Sequence, residues 1–535
     1  MLERVIENWL DKANERLFQF PFCHMLAAQG YKVVHLTRHC AMEMGKDILA
    51  IDSEGIPCAF QLKGTTGKIS LNDWRNGLSQ QVFDLITGAI VHPSIDSAKK
   101  HKSFLVTNGE LEEEVIRAIE DQNKSLESNG YYPLRTIVKG ELFGMAKALG
   151  TDFWPFEIME VKTLLELCLE DGKGIFPKKK LAQLLEANLP LTSDKKYSHN
   201  DLGRAISSSG ILCSLASSNF TRENNFVAEI EAWVLYSSYV LALNEKWELP
   251  RKYWINDFEI ARQQILNLLG NLFDEIKGRE YLIEGNHLVD QPFFRIRVTW
   301  LLAFTSVYFL FKKSSGIDFI EDEEEQIRTF FNKYKDRINL WGEAAIPQIL
   351  ASYWLYKKLD ATLHPDFLLR DIIVAIARIN KQEKDEAALL APPYYEAIDV
   401  MPHILSLPDG KIEDSFEGAS YTIEGLFQLF IRRNFKQSAK AIWPDISRLA
   451  FLTFEPEDSC EFFRWRTDKG INKTTLPNSL QYWDELKAVV FESEGTCIPE
   501  SIKENPVLLL LFLIVYPHRI NSEIMRWLDT KIMAI

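Results

Sequence analysis

Hydrophobic positions in the first 150 residues change period several times, and each change marks an element. Residues 2–29 carry apolar side chains at helical spacing, with a break expected at Pro21, whose ring removes a donor and clashes with the preceding turn. Tyr31–Thr37 is β-branched and apolar and predicts a strand, and Asp47–Ile51 predicts a second. Asp52-Ser53-Glu54-Gly55 is turn chemistry, so Pro57–Lys63 folds back as the third strand of a hairpin. Leu71–Ile90 places Trp74, Leu78, Val82, Leu85 and Ile86 on one helical face. Then follow a strand at Ser103–Thr107, a helix at Glu110–Ser125, a strand at Leu134–Val138 and a helix at Glu141–Leu149. This α-β-β-β-α-β-α-β-α order predicts an α/β domain over residues 1–155.

Beyond Phe156 the pattern is helical: Val161–Leu169, Lys178–Ala187, Ala228–Leu243, Asp257–Ile276, Ile296–Lys312, Glu323–Arg337, Ala345–Lys358 and Pro365–Ile379. No repeat of 33–47 residues is evident. Pro392–Glu424, rich in Pro, Asp and Gly, reads as a linker. The expected division is therefore an α/β domain at 1–155, an α-helical domain at 156–390 for sensing, oligomerisation or partner docking, and a mostly helical segment at 391–535. The longest apolar stretches, Val298–Phe311 and Val507–Tyr516, fall short of the ~20 residues that span a bilayer and read as core helices, with no membrane partner.

Charge narrows the function. The 535 residues carry a net charge of −14, so the overall field repels nucleic acid. Residues 1–150 hold 17 Lys/Arg and 19 Asp/Glu and are nearly neutral; the acidity lies downstream. Seven scattered cysteines without a CxxC pair fit reduced thiols in a cytoplasmic protein, and the charged, amphipathic N-terminus is not a signal peptide.

The segment with chemistry is Gly45–Ile51, a turn, and Ala59–Gly64. Side chains alternate along a strand, so Gln61 and Lys63 share one face and an acid at the start of the partner strand, Asp47, reaches the same place. One carboxylate, one amide oxygen and one amine suit phosphodiester hydrolysis. Asp47 and the Gln61 carbonyl would be hard oxygen ligands for Mg²⁺ (or Mn²⁺), and Glu15 on the preceding helix could add a third. Lys63 would orient the attacking water and offset transition-state charge. Glu43 is a backup ligand if the strand is offset.

These residues resemble the PD-(D/E)xK nuclease superfamily, and within it the Mrr-like restriction endonucleases and related nuclease modules of bacterial antiphage systems. The matching residues are Glu15, Gly30-Tyr31, Gly45-Lys46-Asp47-Ile48-Leu49, Gln61-Leu62-Lys63 and Phe104–Gly109, all within the first 150 or so. Gln61 stands where the family usually has Glu, a variant also common in the Mrr-like branch, and Lys46 stands where Gly often precedes the Asp. The resemblance implies a restriction-endonuclease-like domain with a role in defence against foreign DNA.

The reading is a Mg²⁺-dependent nuclease acting on double-stranded DNA, gated by its helical C-terminal region through a homo-oligomer or a partner protein. Alternatives left open by the residues are a surface ion pair between Asp47 and Lys63, a degenerate nuclease fold that only binds nucleic acid or serves as a scaffold, and an RNase. Gln80-Gln81 would line the cleft, with Gln80 the expected DNA contact. Lys68, in Gly64–Ile69, would touch a phosphate, although that loop lacks the spacing of an ATP site. His35 and His39, four apart in a strand-to-loop region, do not converge on a metal. The Lys99–Lys102, Phe176–Lys180 and Ile320–Glu325 charge runs read as solvated surface.

Overall fold

The computed structural model describes residues 2–36, 46–150, 157–193, 195–278, 291–319, 322–380, 390–405, 418–466, 469–477, 482–491 and 495–535. The chain is mostly helical, with a small mixed sheet near the N-terminus and a helical C-terminal region. Two compact units, Met1–Leu268 and Leu269–Ile535, take the place of the three segments expected from sequence.

The first unit opens with helices α1 (Leu2–Lys12) and α2 (Glu15–Ala28). The break falls at Ala13-Asn14, not at Pro21, which lies inside α2. Asn14 starts the new helix by accepting the Leu17 N–H at 3.1 Å, satisfying a donor that a helix start otherwise leaves open. Strands β1 (Lys32–Leu36), β2 (Ile48–Ile51) and β3 (Pro57–Lys63) pair antiparallel in succession. After the two-residue strand β4 (Lys68–Ile69), β5 (Lys102–Thr107) runs parallel to β3. The two-residue strand β6 (Glu110–Leu111) pairs with β4, and β7 (Arg135–Ile137) runs parallel to β5. The sheet order is β1-β2-β3-β5-β7, so β3 is central.

Both faces of β3 are covered, which is why PCAFQLK is nearly all apolar. On one face Phe60 stacks on Phe104 (centroids 4.6 Å, 15°) and meets Phe22 of α2 edge-on. On the other, Ala59, Leu49 and Leu105 pack beneath Val82, Leu85 and Ile86 of the Ser79–Thr87 helix and Val115 and Ile119 of the Glu113–Ser128 helix.

The helices between residues 157 and 268 belong to the same unit as the sheet. α2 packs along the His199–Arg222 helix. His24 Nδ1 lies 2.6 Å from Asp257, whose other oxygen accepts from Ser207 at 3.0 Å; the His24 ring fits because position 210 is glycine, where a Cβ would come within 2.6 Å of it. Asn256 accepts the Val33 N–H (3.1 Å) and donates to the Tyr31 carbonyl (2.7 Å), covering the open edge of β1.

In the second unit the Gln291–Ser314, Ile346–Leu359 and Pro506–Val515 helices form the core. Asp529 is buried among Trp354 (2.9 Å), Arg432 (2.8 Å) and Arg433. A three-stranded sheet of β8 (Ala419–Ser420), β9 (Ala450–Glu455) and β10 (Ile471–Thr475) interrupts the helices. Residue 391 is no boundary, since the Ala391 carbonyl accepts the Glu343 N–H within this unit. Phe226–Trp247 and Phe293–Ser314 are each long and apolar enough to cross a membrane, longer than the apolar runs alone predict, and most of each is buried in the fold.

Candidate active site

The predicted residues gather at the C-terminal end of β3. Asp47 stands just before β2 rather than in it. Its N–H donates to the Phe60 carbonyl (2.9 Å) and its carboxylate accepts the Leu62 N–H (2.6 Å), so it brackets Gln61. Glu15 accepts the Gly64 N–H at 3.3 Å and lies 3.4 Å from Lys63 Nζ. The N–H groups of residues 62 and 64 leave the strand on the same edge, roughly 7 Å apart by strand rise. The two carboxylates therefore continue, one after the other, the ladder that β2 leaves unfinished. Gly64 lets α2 come this close, because a Cβ there would meet the Glu15 nitrogen at 2.7 Å.

Gln61 is buried, and its Nε2 donates to Gln81 Oε1 at 2.9 Å. That fixes the amide and leaves Gln61 Oε1 buried with no hydrogen-bond partner. An orphaned carbonyl oxygen is costly unless something electropositive meets it. Lys63 is about one-third exposed and within reach of an incoming molecule.

The surroundings hold this end in place. Asn108 is buried; its oxygen accepts the Thr65 N–H (2.9 Å) and its nitrogen donates to the Leu10 and Ala13 carbonyls (2.6 and 2.7 Å). It ties the loop after Lys63 to the α1–α2 junction beside Glu15. Arg16 pins the first turn of α2 to Glu229 (3.3 Å) and Asn224 (2.6 Å). Burial pushes the Glu229 carboxyl up to about 7, with Arg16 opposing. Lys46 is buried, its Nζ 3.5 Å from the Asp84 carbonyl; burial lowers its pKa and Asp84 acts against that.

Gln80 lies on the Ser79–Thr87 helix. It is exposed and donates to Asp84 (2.9 Å), and its neighbour Gln81 is the one that touches Gln61. Gln81 follows Leu78 by three and precedes Leu85 by four, a spacing that marks it from sequence as lying beside the buried stripe. Asn108, just past β5, carried a sequence signal only as part of the Phe104–Gly109 stretch that resembles the nuclease family. Lys68 is exposed on β4. Lys102 and Lys178, read as solvated, pair with Asp52 and Glu231 at 2.6 Å each. Glu43 and His39 lie outside the described residues.

Among the described residues no three His, Cys, Asp or Glu side chains cluster as ligands. The available donors here are two carboxylates and one amide oxygen, a hard-oxygen set suited to Mg²⁺ rather than Zn²⁺. No protein family, no curated protein and no solved structure matches this chain.

Proposed function

We propose that the N-terminal sheet is a restriction-endonuclease-like, metal-dependent nuclease centre that hydrolyses phosphodiester bonds of double-stranded DNA. The observation that carries this reading is the buried, unpartnered Gln61 oxygen on the strand whose next two residues, Leu62 and Lys63, meet the Asp47 and Glu15 carboxylates. Asp47, Gln61 and Glu15 would hold a Mg²⁺ or Mn²⁺ ion, whose chemistry is to polarise the scissile phosphate and acidify an attacking water. Lys63 holds the water and offsets the negative charge that builds on the phosphoryl oxygens. Glu15 aims the ammonium, and the Leu62 N–H fixes the Asp47 carboxylate. Near-neutral charge over residues 1–150 lets the polyanion approach, and the acidic remainder disfavours unproductive grip, which fits a gating or partner-docking role for it.

The test is cleavage of supercoiled plasmid, linear duplex and single-stranded RNA by the purified full-length protein in Mg²⁺ and Mn²⁺, beside Asp47→Asn. Metal-dependent duplex cleavage that Asp47→Asn abolishes is expected. RNA cleavage alone makes the protein an RNase. Duplex binding without cleavage makes the site a recognition module, and full activity in Asp47→Asn removes the assignment.

A further inference from the structure

The second unit contains a cavity of about 330 Å³ at one side of the β8–β10 sheet, in the size range of small-ligand sites. Tyr394, Tyr421 and Phe454 supply aromatic walls, with Arg466, Asn472 and His518 between them. The Tyr394 and Tyr421 rings stand edge-to-face (6.2 Å, 86°), so neither is stacked flat on the other.

Arg466 has a left-handed backbone (φ 48°), a strained conformation for a residue with a Cβ. Its guanidinium lies over Trp465 at 4.5 Å and meets Glu396 at 3.4 Å in a partly exposed pair that a better anion can displace. Its N–H donates to His518 Nε2 at 3.4 Å. Burial, then Arg519 and Arg466, holds the His518 pKa well below the usual histidine range, so the imidazole there is neutral. Among the described residues the lining thus offers aromatic faces, a cation at the end of a strained turn, and an amide able both to donate and to accept.

We propose that this cavity binds a free mononucleotide, its base against Tyr394, Tyr421 and Phe454 and its phosphate on Arg466. Stacking on aromatic rings is the general way proteins hold an unpaired base. The guanidinium fork matches phosphate geometry, and a charge-assisted bond to phosphate exceeds the loose contact with Glu396. The Asn472 amide reads a base edge, which carries donors and acceptors side by side. No residue of this cavity belongs to the β3 site, so the proposal stands or falls apart from the nuclease reading.

The experiment is calorimetric titration of the full-length protein with AMP, GMP, CMP and UMP, and with adenosine, inorganic phosphate and a single-stranded hexadeoxyadenylate. At least one mononucleotide binds saturably, and adenosine and phosphate bind at least about tenfold more weakly. Arg466→Gln and Tyr421→Ala each weaken binding at least about tenfold without altering the circular dichroism spectrum. Should Tyr421→Ala unfold, Asn472→Ala on the exposed strand β10 takes its place. Absence of saturable binding by all four mononucleotides overturns the proposal. So does binding that survives both substitutions, or hexanucleotide binding more than tenfold tighter than AMP, which would assign the cavity to a strand.

Discussion

Gln81 accepts the Gln61 amide hydrogen at 2.9 Å, and by doing so leaves Oε1 as the Gln61 atom without a partner. A free amide would rotate to satisfy its oxygen elsewhere; a clamped one presents it. Gln81→Ala is therefore expected to spare the fold, since Gln81 is largely exposed. It should raise the Mg²⁺ concentration needed for half-maximal cleavage by roughly 10–100-fold, the usual scale for losing a residue that orients a ligand. A Mg²⁺ titration of cleavage rate, with Gln61→Glu as the variant that adds charge and lowers the requirement, checks this. An unchanged midpoint in Gln81→Ala means the clamp has no role.

Lys63→Ala should lower the single-turnover rate by at least ~10²-fold while leaving the Mg²⁺ midpoint in place, because the ammonium acts on developing charge rather than on the ion. Lys63→Arg should not restore the rate, since a planar fork does not replace a compact donor 3.4 Å from Glu15. Rates equal to the unsubstituted protein would leave Lys63 as a surface partner of Glu15 and nothing more.

Glu343 gives the second unit a pH dependence. Burial pushes its carboxyl up to about 7, and bonds from Ser420 Oγ (2.5 Å) and the Tyr421 N–H (2.8 Å) only partly offset that. In the unfolded chain the same group ionises near 4.5, as an ordinary glutamate does. Between these values the folded state keeps a proton that the unfolded state has released. The contribution is therefore whole below about 4.5 and is lost as pH rises to 7, on the order of 1 kcal/mol per pH unit. Glu343→Gln should be more stable than the parent at pH 7.5, with the gap closing at pH 5. Urea unfolding of both proteins at the two pH values measures it, and a gap that does not change with pH refutes the shift.

Asp529 is the only acid that both Arg432 and Arg433 share among the described residues, and Trp354 Nε1 also donates to it. Asp529→Ala would take the shared carboxylate from two half-buried guanidinium groups, leaving Arg433 with Asp366 and Tyr353 and Arg432 with Val490 and Thr530, and would leave the buried Trp354 indole without its acceptor. A loss of about 3–5 kcal/mol is expected, and replacement by Asn should recover the Trp354 bond but not the charge. Denaturant midpoints decide the order, and a loss below 1 kcal/mol would mean that water compensates both arginines.

Strands and amphipathic helices were legible wherever burial is one-sided or complete and apolar. Pro57–Lys63 was read to the residue, because β3 is covered on both faces. The Asp47, Gln61 and Lys63 grouping followed from strand alternation and one turn. What escaped was packing done with polar groups. The His199–Arg222 helix is buried along most of its length, yet its sequence is rich in serine and glycine. Ser214 and Ser217 donate to the carbonyls of Gly210 and Cys213 four residues earlier, so hydroxyls pass into the core without partners elsewhere and no apolar period appears. The apolar stripe Trp74, Leu78, Val82, Leu85 and Ile86 was legible and is buried, but the π-helical stretch at Trp74–Leu78, where Gly77 adopts φ 123°, left no mark on that spacing.

Asn256 belongs to a helix more than 200 residues from the strand whose edge it covers. The sheet is consequently not a cartridge that can be lifted out at residue 155. Cut there, β1 would offer bare N–H and carbonyl groups to any neighbour, and α2 would lose the wall that encloses His24. Any recombination that moved this sheet into another gene would have had to carry the helices as far as Asp257 with it, so the inheritable unit is more than one and a half times the length of the segment that bears the motif.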